Sequence, residues 1–242
     1  MRKVFLFVFA VFISSSLLAQ TDSTVRRNIL KPGTAARSND HFLLQLGYTT
    51  WTGKPDSINT SGFSRGFNAY FLFDFPFKTN TKWSVALGPG ISTDNIYFDN
   101  MMLGIKENTP SLRFQNVSDT NSFKKYKLAT AFLEAPVELR FSSKPDDNKH
   151  SVKAAIGVKV GTLLSAGIKG KDLEDKNGNT LLSYTLKEKS KRYFNQNRLS
   201  ATGRVGYGHF SLFASYAVTP LFKEGTAPVI RPLTIGLTIS GL

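Results

Sequence analysis

The 242-residue chain contains no cysteine. Without cysteine there can be no disulfide framework and no thiolate metal site. A lipid anchor attached to a cysteine after a signal peptide is excluded for the same reason. Disulfide-rich scaffolds and lipoproteins are therefore ruled out as classes for this protein.

Long apolar runs are also scarce, and the clearest one lies at the amino terminus. Met1–Lys3 is basic, Val4–Ile13 is apolar, and small residues lead to Ala19. This pattern predicts a secretory signal peptide over 1–19, since the apolar run is shorter than the roughly 20 residues of a membrane span. No later stretch resembles a transmembrane helix, so an exported chain that enters a membrane must do so as strands.

The remainder is predicted to form an unstructured periplasmic leader (20–40, polar and basic) and one β domain (41–242). Leu233–Ser240 shows the domain's pattern most clearly, with four aliphatic residues on one alternate row and only Thr, Gly and Ser on the other. Strand side chains alternate between two faces, so the period of two indicates strands. The candidate strands are 41–51, 64–77, 82–98, 125–142, 150–167, 194–207, 209–219 and 230–241.

Once the ends of the candidate strands are trimmed, one face of each carries no charge. These rows are Phe42 to Tyr48, Phe67 to Phe77, Trp83 to Ile91, Ala129 to Phe141, Val152 to Leu164, Leu199 to Tyr207, Phe210 to Val218 and Leu233 to Ile239. The charged residues of the interleaved rows are Asp74, Glu134, Glu138, Arg140, Lys153, Lys159 and Arg204. A slip of one residue would exchange the faces, so this register is the one that keeps charges out of lipid.

The connections between candidate strands alternate between short and long. The long ones are 52–63, 99–124, 168–193 and 220–229. Outer-membrane barrels have short periplasmic turns and longer outer loops, with an even number of strands. The sequence therefore predicts an all-β fold, an eight-stranded antiparallel transmembrane β-barrel, with both termini on the periplasmic side. A ten-stranded variant stays open, with Leu112–Val117 as part of an extra hairpin.

Aromatic residues cluster at the two predicted membrane interfaces, where amphipathic rings prefer to lie. The predicted periplasmic rim contains Phe42, Phe75, Phe77, Trp83, Phe141, Tyr207 and Phe210. The predicted outer rim contains Tyr48, Trp51, Phe63, Tyr97, Phe98, Tyr193 and Phe194.

Residues 124–141 contain a leucine–glutamate–apolar–proline core, Leu133-Glu134-Ala135-Pro136. This stretch resembles the strand signature of PorT-like outer-membrane β-barrel proteins, although Ala135 and Glu138 depart from the usual pattern. The resemblance covers the chain from about residue 40. It implies a signal peptide followed by an eight-stranded barrel, and named members of the family serve type IX protein secretion.

An eight-stranded barrel has a lumen just wide enough for side chains. Phe132, Tyr70, Phe213, Leu72 and the charged row are expected to fill it. We expect Glu134, Glu138 and Arg140 to pair with Lys153, Lys159 or Arg204 in an ion-pair network. Removing one partner of such a buried pair typically costs roughly 3–5 kcal/mol.

Catalysis is not expected. His41, His150 and His209 all fall at predicted periplasmic ends, away from the outer leaflet, and no Gly-x-Ser-x-Gly elbow is present. Asp175–Asn179 departs from a calcium loop, and its Asn-Gly pair is typical of a tight hairpin turn. Strands five and six are therefore expected to extend above the membrane and meet at this turn. We predict no catalytic, cofactor-binding or metal-binding residues and no cofactor.

The formal net charge is +14, and much of the basic excess lies in the leader and predicted loops. Nucleic acid is a poor partner for an exported barrel, whereas positive loops beside an anionic leaflet can bind lipopolysaccharide phosphates. The expected contacts are Lys187, Lys189, Lys191 and Arg192. The alternative is a solvated, charged hairpin.

The sequence thus predicts a non-enzymatic integral protein of the outer membrane of a Gram-negative bacterium. Its expected role is structural or accessory in the cell envelope, with a place in a PorT-like type IX secretion machinery implied by the resemblance. Expected partners are outer-membrane lipid and other envelope or secretion proteins. Two alternatives stay open: a narrow porin-like channel or transporter, and a soluble lipocalin-like binder.

Overall fold

The computed structural model describes residues 41–241, so the predicted signal peptide (1–19) and leader (20–40) lie outside the described residues. The described chain is almost entirely antiparallel β-strand, with one 3-10 turn at Asn148–His150. The strands are β1 (Phe42–Thr52), β2 (Arg65–Phe71), β3 (Phe73–Pro76), β4 (Trp83–Leu87), β5 (Gly90–Phe98), β6 (Met101–Leu103), β7 (Phe114–Asn116), β8 (Ser122–Ser142), β9 (Val152–Glu174), β10 (Thr180–Lys189), β11 (Asn197–Tyr207), β12 (Phe210–Ala217) and β13 (Arg231–Ser240).

The main sheet closes on itself. Its hydrogen-bonded path runs β1-β2-β5-β8-β9-β11-β12-β13 and returns to β1, and every pairing is antiparallel. The predicted all-β antiparallel architecture is therefore confirmed. Within 41–241, no helix has the length and apolar character needed to cross a membrane.

Two of the predicted strands are interrupted. Leu72 separates β2 from β3, and Gly88-Pro89 separates β4 from β5. Proline has no N–H to donate to a ladder, and a Cβ on Gly88 would lie 2.0 Å from the carbonyl oxygen of Phe71. The pairing register is unchanged on either side of each interruption, so each broken strand keeps one position in the ring.

The sheet extends beyond the ring on the side of the long connections. β8 and β9 are the longest strands, and β9 turns back through Gly178 (φ +84°) into β10. The long connection 168–193 is thus largely a hairpin, as the Asn177-Gly178 pair predicts. β6 and β7 pair in a separate two-stranded sheet, so the extra hairpin near Leu112–Val117 exists but lies outside the ring.

The distribution of side chains is inverted relative to a water-soluble protein. None of the predicted uncharged outward positions is buried, and Ile156 and Leu237 have exposed fractions of 66% and 56%. The inward positions include buried Glu134, Lys159 and Thr238. Phe132, Tyr70, Phe213 and Leu72 are buried as expected.

The long connections fold over one end of the ring as a hydrophobic cap. We define the cap by its buried residues Trp51, Ile58, Ile96, Phe98, Met101, Leu103, Ile105, Leu112, Phe123, Tyr126, Leu128, Tyr193, Phe194, Leu221, Phe222 and Ile230. The predicted outer aromatic rim is therefore wrong for Trp51, Phe98, Tyr193 and Phe194, because these rings pack in the cap. Tyr48 and Phe63 are exposed as expected.

Candidate functional site in the lumen

Arg198, on β11, is the centre of one cluster of lumen charges. Its Nη1 lies 2.8 Å from Asp94 Oδ2, and its Nη2 lies 2.5 Å from Glu134 Oε1. Nη2 also donates to Ser92 Oγ at 2.8 Å, and the guanidinium carbon lies 3.8 Å from the Phe132 ring centroid. Buried ion pairs need this degree of hydrogen bonding to offset desolvation, so the guanidinium is well accommodated.

Glu134 also contacts a lysine and a tyrosine. Tyr70 Oη donates to Glu134 Oε2 at 2.5 Å, and Lys159 Nζ lies 3.6 Å from the same oxygen. Lys159 Nζ donates to Tyr70 Oη at 3.3 Å. This first cluster contains two acids and two bases, so its formal charges balance.

A second cluster lies nearer the short-turn end of the ring. Glu138 Oε2 accepts from Arg140 Nε at 3.0 Å and from Arg204 Nη2 at 3.1 Å. Arg140 Nη1 is 3.8 Å from Asp74 Oδ1, which also accepts from Ser84 Oγ at 2.7 Å. The two carboxylates hold the two guanidinium groups in place.

The structure brings most of the predicted charged row together. Glu134 pairs with Lys159, and Glu138 pairs with Arg204. Arg140 pairs with two acids of the row, Asp74 and Glu138. Lys153 is buried, in register with Ser142 on one side and Gly206 on the other.

Small residues on β9 allow β8 and β11 to meet across it. Gly161 is in register with both Glu134 and Arg198, and Ala155 is in register with both Arg140 and Arg204. A Cβ on Gly161 would lie 2.8 Å from Glu134 Cγ. A larger side chain at this position would occupy space that the ion pair uses.

Arg198 and Asp94 are the lumen charges that the sequence analysis missed. Both have inward parity within the candidate strands 194–207 and 82–98. The uncharged rows end at Leu199 and Ile91, so the charged rows interleaved with them do not reach these two positions. Interleaved rows that continue to the ends of the candidate strands include both.

The lumen leaves almost no free space beside the first cluster. A cavity of about 10 Å³ is bordered by residues that include Asn68, Asp94, Lys159 and Arg198. A cavity of this size is at the lower limit for holding a single water molecule. The arrangement can hold strands in register, and this cavity is too small for a substrate.

The histidines form local contacts at strand ends. His41 Nδ1 lies 2.7 Å from the carbonyl oxygen of Leu72, and His209 Nδ1 lies 2.9 Å from that of Ser240. His150 Nδ1 lies 2.9 Å from Asp147 Oδ2, and this hydrogen bond lowers the pKa of Asp147. Among residues 41–241, no group of three or more acidic or histidine side chains is arranged to hold a metal ion.

The Asp175–Asn179 turn is occupied by its own hydrogen bonds. Asp175 Oδ1 accepts from the backbone N–H groups of Asn179 and Asn177, at 2.9 and 2.8 Å, and its Oδ2 accepts from Asn179 Nδ2. These donors lower the pKa of Asp175, with the backbone N–H of Asn179 contributing most. The segment forms the β9–β10 hairpin turn.

The four predicted lipopolysaccharide contacts separate into two pairs. Lys187 and Lys189 are exposed on β10. Lys191 Nζ donates to the carbonyl oxygen of Leu163 at 3.0 Å, and Arg192 Nη1 donates to Asn108 Oδ1 at 2.5 Å. All four residues are exposed, and the second pair is also hydrogen-bonded within the protein.

The comparison with protein families agrees with the inverted side-chain distribution. The model of the outer membrane protein beta-barrel domain family matches residues 19–223. The chain is also similar to Ail, the attachment invasion locus protein of Yersinia pestis, with 14% identity, a TM-score of 0.34, and coverage of 84% of this chain and 98% of that one. No curated protein matches the sequence. Because the family model spans most of the chain, this protein belongs to the outer membrane protein beta-barrel domain family.

Proposed function

We propose that the protein is a closed, non-enzymatic, eight-stranded transmembrane barrel with a structural or accessory role in the outer membrane. The observation that carries this proposal is the inversion of the side chains: charged residues are buried in the ring and aliphatic residues are exposed around it. Lipid is the solvent that favours this arrangement, since water would favour the reverse. The same distribution opposes the lipocalin-like alternative.

Two features support a closed lumen. The charged clusters fill the ring, and the hydrophobic cap covers the end that carries the long connections. A water-filled channel requires a wider barrel, typically of 16 or more strands. The porin-like alternative therefore has no support from the geometry.

A non-enzymatic role is supported by the contacts of the histidines. Acyl transfer or hydrolysis needs a nucleophile beside a base that a third group orients. The ring nitrogens described above instead contact backbone carbonyls or the carboxylate of Asp147. The lumen carboxylates Asp74, Asp94, Glu134 and Glu138 are paired with arginine or lysine side chains.

A role as a component of type IX secretion is a finer proposal, and it rests on the resemblance of residues 124–141 to PorT-like proteins. In the structure this stretch lies on β8, which contributes Glu134 and Glu138 to the lumen and pairs with β4, β5 and β9. Its residues therefore hold the barrel together as well as resembling the family signature. Crosslinking in native envelopes, followed by pull-down, tests this role. Recovery of secretion components is expected, and recovery of none of them contradicts it.

Membrane fractionation tests the main proposal. The processed protein should remain in the outer-membrane pellet after a carbonate wash, while a peripheral marker is released. In planar bilayers, the purified barrel should produce no single-channel steps. Release of the protein by carbonate would overturn the membrane assignment, and regular conductance steps would overturn the closed lumen.

A further inference from the structure

Three lysines on neighbouring strands form a single cross-strand row on the outward face. Lys127 on β8 is in register with Lys169 on β9, which is in register with Lys187 on β10. The next row along contains Lys125 and Lys171, again in register. We call Lys127, Lys169 and Lys187 the lysine row.

The lysine row lacks the carboxylates that would neutralise it. Like charges directly opposite one another in a sheet are destabilising. Among residues 41–241, no carboxylate oxygen lies within 4 Å of the three ammonium groups. Lys127 Nζ instead donates to the neutral Asn95 Oδ1 at 2.7 Å. The row is therefore suited to an anion from outside the chain.

A basic groove lies beside the row, toward β2. Its volume is about 300 Å³, and its lining includes Arg65, Lys124, Lys125, Tyr97 and Phe63 but no acidic residue. Lys124 also pairs with Glu174 at 3.2 Å. The Tyr97 ring has two cations near it, with Lys127 Nζ at 5.5 Å and the Arg65 guanidinium at 5.7 Å from its centroid. Groove and row together form one basic face across five neighbouring strands.

The level of this face matches the boundary of the apolar surface. The uncharged outward row of β8 extends from Phe141 back to Ala129. Lys127 is the next outward position beyond Ala129. Nearby, the exposed rings of Tyr48 and Phe63 lie 5.4 Å apart. Aromatic side chains are enriched at the headgroup level of membranes, and lipid phosphates lie at the same level.

We propose that the lysine row and the groove bind the phosphate groups of an anionic lipid in the outer leaflet. The inference rests on the transmembrane placement proposed above and names the lipid chemistry that this face recognises. It changes the residue set expected from the sequence. Lys187 remains, and Lys127, Lys169, Lys125 and Arg65 are added. Lys189, Lys191 and Arg192 lie outside both the lysine row and the groove.

The test compares two triple variants of the full-length protein, purified from outer membranes in detergent. One is K127E/K169E/K187E. The control, K78E/K82E/K149E, makes the same charge change at exposed lysines in the short turns at the opposite end of the ring. Each is titrated with lipid A in mixed micelles, with dephosphorylated lipid A and inorganic phosphate as separate probes.

The lysine-row variant should bind lipid A at least about tenfold more weakly than the wild type, because it replaces three cations that attract the anionic headgroup with three anions that repel it. The control should stay within about twofold, and dephosphorylated lipid A should bind the wild type as weakly as lipid A binds the lysine-row variant. K127Q/K169Q/K187Q removes the charge without reversing it and should show an intermediate loss. Equal lipid A affinity in the two glutamate variants would overturn the proposal, as would competition by inorganic phosphate at millimolar concentration.

Carbonate fractionation of the same strains separates this proposal from the membrane placement on which it rests. If both variants stay in the membrane and bind lipid A equally, only the lipid site is contradicted. If the wild type is released by carbonate, the transmembrane placement fails first.

Discussion

Arg198 and Glu134 are joined by two hydrogen bonds, from Nη2 at 2.5 Å and from Nε at 3.0 Å to Glu134 Oε1, although their strands are not neighbours. β9 runs between them and contributes Gly161 at that level. The same guanidinium reaches Asp94 on β5. One cation therefore links three separate parts of the ring.

Arg198→Met should destabilise the barrel by roughly 3–5 kcal/mol, because Asp94 would be left buried without its cation and Glu134 would keep only Lys159. Urea unfolding in lipid vesicles, followed by the gel mobility of the folded form, measures the change. Lys82→Met, at an exposed position, is the control and should alter stability by no more than about 0.5 kcal/mol. Equal stability of the two variants would show that the ion pair is dispensable.

Gly161→Ala should destabilise by about 1–3 kcal/mol, because the added methyl group meets Glu134 Cγ at 2.8 Å and crowds the ion pair. Gly203→Ala is a matched control on β11, where the nearest heavy atom would lie 3.9 Å from the new Cβ. The same unfolding assay compares them. A larger loss for the control would contradict the role given to Gly161.

Val158→Lys tests the medium that touches the outward face. Val158 is 46% exposed in the middle of the uncharged row of β9. A lysine at the bilayer midplane costs about 2–4 kcal/mol, whereas the same change in water would be nearly neutral. Leu181→Lys, which is 49% exposed on β10 beyond the ring, should have little effect on folding yield in vesicles. Indistinguishable yields would argue that water, and not lipid, touches Val158.

Phe222→Ala should loosen the cap without opening the ring. The Phe222 ring lies 5.1 Å from that of Phe194 and 5.9 Å from that of Trp51, and truncating a buried Phe typically costs about 3–5 kcal/mol. Limited proteolysis should cut the long connections faster, while the gel mobility of the folded barrel stays unchanged. Phe63→Ala, at a 64% exposed ring, should leave the cleavage rate as in the wild type. Loss of the folded band would mean that cap and ring unfold together.

The period of two in the sequence was sufficient to predict the strands of the ring and the face that each one turns outward. It worked because a ring with a polar interior and an apolar exterior imposes opposite chemistry on alternate positions, as Leu233–Ser240 shows. It also identified Glu134, Glu138 and Arg140 as inward charges. The sequence could not predict which cation each acid pairs with, because the small residues on β9 allow side chains on β8 and β11 to pair across it.

The same pattern could not predict the cap. Periodicity tells which face of a strand a residue occupies, but not what covers the end of a ring. Trp51 and Tyr193 fit an interfacial aromatic rim by position, yet the folded connections bury them in a core of their own. The β9–β10 extension was expected, but the division of strand six into β10 and β11 was not. The segment 190–196, which separates the two strands, is held by contacts with distant loops, such as the hydrogen bond between Asn195 and Pro220.

The small residues on β9 have a consequence for how the chain finds its native pairing. A shift of two residues in the pairing of β8 with β9 would keep the same apolar face on the outside of the ring. Contact with lipid alone therefore cannot discriminate against the shifted pairing. Such a shift would carry Glu134 about 7 Å away from Gly161 and so from the guanidinium of Arg198. The interior electrostatics thus select one alignment among those that the bilayer would tolerate equally.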